Sequence, residues 1–452
     1  MKFVADLHLH SKYSRAVSQN MTLANLALWA KYKGISVVAT GDFTHPFWLE
    51  QLKNELEEKG NGLFRLKTNE TVFFRKSERL KQEISFMLSC EISSIYSQGG
   101  QTRRIHNLFF FPKLTSVEKF NSELLKRGAN LRSDGRPIVG ITSRDLVEIA
   151  LSCDSKALVV PGHIWTPWFS VFGSFSGFDS IEECFDDMSQ YIYAIETGLS
   201  SDPAMNWQIG DLDRRSILSF SDAHSLEKMG REATVFEGEE IGYDSIYQAI
   251  VDPGSESAKI AFTIEFHPEE GKYHFTGHRD CNFSQSPEES KKNGNICPVC
   301  HRPLTVGVMQ RVKDLSSREI SNFKFQISNG VKWVNSEDGK RPSYVSLVPL
   351  GEILAEVFGV AAGTKKVNDV YLSLVNGLGS EFSVLMKASL SEIRKLSTER
   401  VAEAISKVRM RDIVVEPGYD GTYGVVKIWS EGQETADDKR ASTEETQLNL
   451  FA

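Results

Sequence analysis

Six histidines precede residue 266 in this 452-residue chain, and each stands at one end of a short β-rich run. Imidazoles confined to strand ends commit a chain to a fold in which those ends meet, since scattered histidines fall on helices and loops just as often. The first run, 2–6, leads straight into Asp6-x-His8-x-His10. Alternate residues of a strand face the same way, so Asp6, His8 and His10 are expected to converge on one face. Two imidazoles with a carboxylate suit zinc, manganese or iron rather than calcium. Five further clusters follow: Gly41-Asp42-Phe43-Thr44-His45, Ser89-Cys90-Glu91, Ile105-His106-Asn107, Val160-Pro161-Gly162-His163 and Ser221-Asp222-Ala223-His224.

Between the clusters, β-rich runs alternate with amphipathic stretches up to about residue 265. Strands are expected at 2–6, 35–40, 105–111, 157–160, 191–196 and 217–220. Helices are expected at 23–33, with Thr22 as N-cap and Gly34 as stop, and from Pro46 to Lys59. Others are expected at 116–126, 143–151 and 243–251. Such alternation implies an α/β fold with parallel strands, an open sheet or a barrel, whose chemistry gathers at the carboxyl-end rim. Several His, Asp and Glu side chains there would hold two or three divalent ions a few ångströms apart. Bridged ions lower the pKa of bound water and clamp the attacking and leaving oxygens of a phosphodiester. A Gly-rich phosphate loop, a Ser/His/Asp arrangement and a glycosidase carboxylate pair are not evident.

Residues 266–312 change character. His278-x-x-Cys281 is followed by fifteen residues and then Cys297-Pro-Val-Cys300. Two thiolates two residues apart clasp one tetrahedral ion, so Cys281, Cys297 and Cys300 point to a structural zinc in a reducing compartment. His278 is the fourth ligand by spacing, with His274 and His301 as competitors. Residues 313–430 read as a third unit of α+β type. Its strands are expected at 332–334 and 344–347, its helices at 351–358, 369–375, 390–396 and 398–407. Two last strands lie within 413–428, joined through Pro417-Gly-Tyr-Asp-Gly421.

Net charge is −8, yet it is unevenly spread: residues 431–452 hold six acids and two bases, and residues 301–412 hold seventeen Lys/Arg against twelve Asp/Glu. The acidic total therefore does not exclude DNA as a partner, and the positive balance of 301–412, placed to grip duplex phosphates, makes the unit at 313–430 the expected DNA-binding domain. No apolar run reaches membrane-spanning length and no basic-then-apolar leader opens the chain, so no membrane partner and a cytoplasmic location are expected. The 431–446 segment should be disordered. It tethers Gln447-Leu-Asn-Leu-Phe451, which resembles the bacterial sliding-clamp-binding motif. Leu448, Leu450 and Phe451 would fill apolar pockets while Gln447 hydrogen-bonds at the edge.

The motif order of residues 1–225 resembles the PHP (polymerase and histidinol phosphatase) superfamily of metal-dependent phosphoesterases. The resemblance implies a distorted seven-stranded β/α barrel with a binuclear or trinuclear centre of zinc, manganese or magnesium. It makes His8, His10, Glu91, His106, His163, Asp222 and His224 the matching ligands, with Asp222 and His224 also catalytic. Two departures stand out. Ser14-Arg15-Ala16 replaces the Ser-Asp-Gly of many members, and Gly41-Asp42-Phe43, with His45 two residues on, replaces Thr-Asp-His. One metal is then held differently, through Asp42 or His45. Arg15 would contact the scissile phosphate or else form a surface ion pair.

With the zinc module and C-terminal unit added, the chain resembles the endonuclease Q family through residue 430. The likeness rests on His10-Ser-Lys-Tyr-Ser-Arg-Ala16, His163-Ile-Trp-Thr-Pro-Trp168 and Glu416-Pro-Gly-Tyr-Asp-Gly421. It implies hydrolysis of damaged DNA on the 5′ side of a deaminated base (hypoxanthine, uracil, xanthine) or an abasic site, leaving 3′-hydroxyl and 5′-phosphate ends. Trp165 and Trp168 would then supply walls for a nucleotide taken out of the stack. Two other readings compete: a small-molecule phosphatase of the histidinol-phosphate type, and a non-catalytic DNA-binding adaptor.

Overall fold

The computed structural model describes residues 1–67, 83–318 and 323–430. The clamp-like pentapeptide, with Gln447, Leu448, Leu450 and Phe451, lies outside the described residues. Among the described residues, no helix is long and apolar enough to cross a membrane.

A mixed sheet of thirteen strands organises the molecule. Lys2–Asp6 lies in the middle, parallel to Val37–Ala39 and antiparallel to Ala233–Gly238. Ser85–Gln98 continues parallel to Val37–Ala39. The expectation of parallel strands then fails for a local reason. Gly99 and Gly100 form a two-residue hairpin loop with φ of 62° and 76°, a type I′ geometry that glycine adopts freely, and it returns the chain antiparallel as Gln101–Phe111. Leu158–Pro161 adds to that strand, again antiparallel. Ala194–Glu196 and Ser216–Leu218 form a separate parallel pair.

The ends carrying the motifs meet because of this order. His8 and His10 follow the central strand, and Asp42 follows the strand parallel to it. Ser93 pairs with His106, so Glu91 and His106 sit diagonally across one hairpin. His163 and Asp222 follow Leu158–Pro161 and Ser216–Leu218.

Helix boundaries follow local chemistry. Leu23–Lys33 starts under the Thr22 hydroxyl, which accepts from the Asn25 amide, and stops at Gly34 with φ 89°. The Pro46 helix ends at Glu55 rather than Lys59. Leu56–Glu58 leaves it to pair with Phe64–Leu66 across a turn containing Gly60 and Gly62, a hairpin signal that outweighs helical periodicity.

The sheet does not stop at residue 265. Ala258–Glu265 pairs in parallel with Ser343–Ser346, which leads to Val331–Asn335 and the edge strand Lys324–Ser328. The C-terminal unit thus shares its sheet with the first. Its helices, Leu350–Phe358, Lys365–Leu378, Glu381–Met386, Leu390–Leu396 and Glu399–Met410, pack around Leu354, Leu374 and Ile405. Val414–Glu416 and Val425–Lys427 pair across the expected turn, and Gly418 donates to the Glu269 carbonyl at 2.8 Å.

Candidate metal centre

Glu91 is the hub of the site. Its carboxylate is buried, and its two oxygens face different imidazoles. Oε2 lies 3.2 Å from His10 Nε2 and 3.6 Å from His8 Nε2. Oε1 lies 2.6 Å from His106 Nδ1 and 3.2 Å from His163 Nε2. Asp222 Oδ1 closes the first group, 3.2 Å from His10 Nε2 and 3.5 Å from His8 Nε2. Three groupings have ligand atoms within 4.8 Å of one another: His8, His10 and Glu91; Glu91, His106 and His163; His10, Asp222 and His224.

Three atoms test whether a metal fits here. His8 Nε2, His10 Nε2 and Asp222 Oδ1 are buried without any hydrogen-bond partner. An unsatisfied buried polar group costs about 1–3 kcal/mol, so three facing one another call for a cation. The opposite nitrogens are already committed. Glu196 Oε1 accepts from His8 Nδ1 at 2.9 Å, and Asp42 Oδ1 from His10 Nδ1 at 3.1 Å. Those contacts fix Nδ1 as the donor of each ring and aim each Nε2 at the centre, where a metal would displace the proton that, despite burial, the surrounding carboxylates otherwise keep on the ring. Burial resists ionisation of Glu91, but the charges of His106 and Arg136 hold it well below the usual carboxylate range. Burial resists it at Asp222 too, and the His8 and His10 rings hold that group down in the same way. Both groups are therefore ionised, as a metal ligand must be. The residues present fit divalent ions, with Glu91 common to two of the three groupings.

Backbone strain accompanies the site. Asp42, His163 and Asp222 have φ of 49°, 28° and 45°. Such conformations cost on the order of 1–3 kcal/mol each and persist where surroundings over-determine them. Here the surroundings are tight: a Cβ on Gly198 would fall 2.3 Å from the His163 Cβ, and one on Gly135 would fall 2.4 Å from Asp42 Oδ2.

Several expected residues occupy other roles. Asp6 lies behind the cage, its carboxylate accepting from the Ser221 amide at 3.0 Å and the Gly230 amide at 2.9 Å, so it braces the loop bearing Asp222. Asp42 Oδ2 is filled by the Ser11 amide and the Ser11 and Ser14 hydroxyls, at 2.6, 2.7 and 2.9 Å. Asp42 therefore orients His10 rather than joining a grouping. His45 stacks on Tyr13 at 4.6 Å and likewise joins none. Trp165 is 1 % exposed, donates to Asn206 Oδ1 at 2.8 Å and packs on Phe172. It is a core residue and offers no face to a substrate. Trp168 is half-buried, stacked on Phe175 at 4.7 Å and edge-on to Tyr273. Arg15 is at the surface, its side chain 76 % exposed, with Nε 3.5 Å from Asp134.

Two residues escaped the sequence reading. Glu196 orients His8 and also accepts from the His163 amide at 2.7 Å. It obeys the same strand-end rule as the histidines and could have been found by it. Arg136, 3.1 Å from Glu91 Oε2, lies in a turn without any pattern to mark it.

A second cluster lies apart. His278, Cys281, Cys297 and Cys300 bring their ligand atoms within 4.8 Å of one another, with Cys300 Sγ 3.3 Å from His278 Nδ1. His274 instead packs against Phe275, and His301 is exposed. Burial opposes a thiolate at Cys297, but the amides of Cys300 and Val299 and the His278 ring pull its pKa down to about 6. That donor set fits one tetrahedral zinc.

Fold and site define a mixed α/β protein with a carboxylate-bridged imidazole cage and a separate Cys₃His cluster. The lesion-specific endonuclease PfuEndoQ from Pyrococcus furiosus superposes with a TM-score of 0.78 at 30 % identity, over 98 % of this chain and 99 % of that one. The chain belongs to the endonuclease Q family. A structure of endonuclease Q with a 27-mer duplex substrate, bearing an abasic lesion at the active site, matches with a TM-score of 0.78 at 30 % identity, over 97 % of this chain and 100 % of that one. Residues 349–412 match the family model for the MJ0043 C-terminal domain. Uncharacterized protein MJ0043 of Methanocaldococcus jannaschii is 32 % identical over 283 residues, 60 % of this chain, and the match spans 33 % of that longer protein.

Proposed function

We propose that this chain is a metal-dependent DNA repair endonuclease of PHP type and a bacterial member of its family. It hydrolyses the phosphodiester 5′ to a deaminated base or an abasic site. One observation carries the reading: the orphaned His8, His10 and Asp222 atoms surround a shared Glu91 in a chain that matches, along nearly its whole length, an endonuclease seen with lesion-bearing duplex. His8, His10, Glu91 and Asp222 would hold one ion, Glu91, His106 and His163 a second, and His224 with His10 and Asp222 offers a third position. Bound there, such ions supply Lewis-acid stabilisation and water activated at neutral pH.

The remaining work falls to the chain. Arg136 presents a partly exposed guanidinium beside Glu91, placed to grip the scissile phosphate in the forked geometry arginine favours. His224 Nδ1 is held by the Asp222 carbonyl at 2.9 Å, which leaves Nε2 either for that third ion or, where only two are bound, to exchange a proton at the mouth. Water oxygen joins phosphorus, the bond to the 3′ oxygen breaks, and that oxygen takes up a proton, giving 3′-hydroxyl and 5′-phosphate ends. Trp168 and Phe175 form an aromatic shelf for an unstacked base. The zinc is structural, and recruitment to a sliding clamp through Gln447, Leu448, Leu450 and Phe451 belongs to the same reading.

The test is nicking of duplexes carrying hypoxanthine, uracil, xanthine or an abasic site, with and without Mn²⁺ or Mg²⁺, beside phosphate release from a small monoester. Metal-dependent nicking next to the lesion is expected. Monoester turnover without nicking would overturn the proposal in favour of a phosphatase. Binding of damaged DNA with neither reaction would favour an adaptor.

A further inference from the structure

The loop after Ser216–Leu218 carries two metal-facing side chains, Asp222 and His224, and then runs to Arg231 without a regular strand or α-helix. Its near end is held by the first unit, through Asp6 and through Arg231, whose Nε donates to the Ser221 carbonyl at 2.8 Å. Its far end is held by Asp6 too, at the Gly230 amide, and by a second anchor that reaches the C-terminal unit. Lys33, the last residue of Leu23–Lys33, donates to the Glu227 carbonyl at 3.0 Å. The same ammonium is 2.8 Å from Glu381 Oε2, and both side chains are 3 % exposed.

Glu381 belongs to the C-terminal helices and is itself fixed. Its Oε1 accepts from the Leu350 amide at 3.0 Å and its Oε2 from the Tyr371 hydroxyl at 2.7 Å. Two further contacts join the loop to that unit: Lys228 to Glu352 at 2.6 Å, and Gly230, where a Cβ would meet the Phe382 ring at 3.1 Å. A buried ion pair is a poor source of stability, because desolvating two charges offsets their attraction. A pair of apolar residues would hold two helices together as well. What it would lack is a donor for the Glu227 carbonyl.

We propose that Lys33 is a positioning residue for the metal centre. Aligned by Glu381, it holds the Glu227 carbonyl and so fixes the loop that presents Asp222 and His224, which makes the C-terminal helical unit part of the active-site scaffold. The inference rests on the reading of the cage as a divalent-metal site. It also gives the 349–412 unit a task beyond contact with DNA: nucleic acid that moved these helices would move two metal-facing side chains with them.

The experiment compares wild type, Lys33→Met and the double variant Lys33→Met/Glu381→Gln, whose amide keeps polar partners for the Leu350 amide and the Tyr371 hydroxyl, as full-length, chelator-stripped protein. The Cys₃His cluster is first refilled with Zn²⁺, and Mn²⁺ is then titrated calorimetrically, since thiolates select zinc and the cage accepts manganese. Lys33→Met is expected to weaken Mn²⁺ binding by roughly 10–100-fold, the usual effect of losing an outer partner of a metal ligand. The double variant, free of an unpaired buried charge, is expected to recover the melting temperature of wild type but not its Mn²⁺ affinity. Affinity that returns together with stability would overturn the inference, as would wild-type affinity in Lys33→Met. Absence of Mn²⁺ binding in wild type would instead sink the metal reading itself.

Discussion

The described residues form two constellations of metal-ligand type, built in opposite ways. The Cys₃His cluster draws four residues from two short turns within 278–300, and the C-terminal turn braces it beside the ligands rather than at them: Asp420 Oδ2 accepts from the Arg279 amide at 2.8 Å and the Tyr419 hydroxyl donates to Asn282 Oδ1 at 2.6 Å. The imidazole cage draws seven from positions 8 to 224, and partners behind the ligands set their direction: Glu196 behind His8, Asp42 behind His10, Ser170 behind His163. In the small cluster a bound ion would organise the chain, because so short a segment has no core of its own. In the cage the sheet would organise the ion. Removing a ligand should therefore destroy chemistry in one place and structure in the other.

The largest effect is expected at Glu91, which both ligand groups share. Glu91→Gln should lower incision by roughly 10³-fold, since the several kcal/mol contributed by a bridged centre are lost together. The fold should survive, and mass spectrometry should still find the zinc of the small cluster. Substantial incision by this variant would break the contrast, because the cage would then not be the reacting centre.

Cys297→Ser is the opposite experiment. It should release the zinc and open the 273–307 segment to proteases, with a local stability loss of several kcal/mol, as structural zinc sites lose their fold without metal. Manganese binding in the cage should be unchanged. Loss of both ions in this variant would show that the two sites are one cooperative unit.

Glu196→Gln sharpens the comparison from within the cage. Glutamine keeps one acceptor for the His8 ring or the His163 amide but cannot serve both as a carboxylate does, so metal affinity should fall by roughly 10–100-fold with incision following it. A drop in incision at unchanged metal affinity would give Glu196 a part in the chemistry instead.

The same contrast explains what the sequence disclosed. Cys297-Pro-Val-Cys300 with His278-x-x-Cys281 is legible because its geometry is set within a few residues, and the structure brings those four together. His8, His10, His163, Asp222 and His224 come into one pocket because each follows a strand end, as the motifs imply, whereas Glu91 and His106 lie inside Ser85–Gln98 and Gln101–Phe111 and reach it across one hairpin. Direction was harder. Asp6 shares a strand face with His8 and His10 by alternation, yet the chain leaves strand geometry after Asp6, and its carboxylate turns to the Ser221 and Gly230 amides. Asp42 sits at a left-handed φ that swings its carboxylate behind His10. Trp165 lies beside a ligand in sequence, but its indole faces Asn206 in the core, a choice made by packing from residues forty positions away. Strand direction failed at Gly99-Gly100, and the boundary at 265 failed to anticipate a parallel partner at Ser343–Ser346. The first was readable in the Gly-Gly turn signal, whereas the second depends on a pairing that no local pattern encodes.

The smallest effect is expected at Arg15, and it decides between two roles with different signatures. Paired with Asp134 at 3.5 Å and largely in water, it contributes little to stability, since exposed pairs are worth about 0–1 kcal/mol. Arg15→Ala should leave the melting temperature unchanged. If the guanidinium lies along bound DNA, the substitution removes one phosphate contact, so the slope of log affinity against log salt should shrink by about 0.9. The loss should be the same for damaged and undamaged duplex, because a phosphate contact carries no base information. We expect that reduced slope, because the exposed guanidinium stands at the end of the segment that begins with His10 while Arg136 already occupies the pocket. An unchanged slope would leave Arg15 as a surface ion pair and Arg136 to hold the phosphate without it.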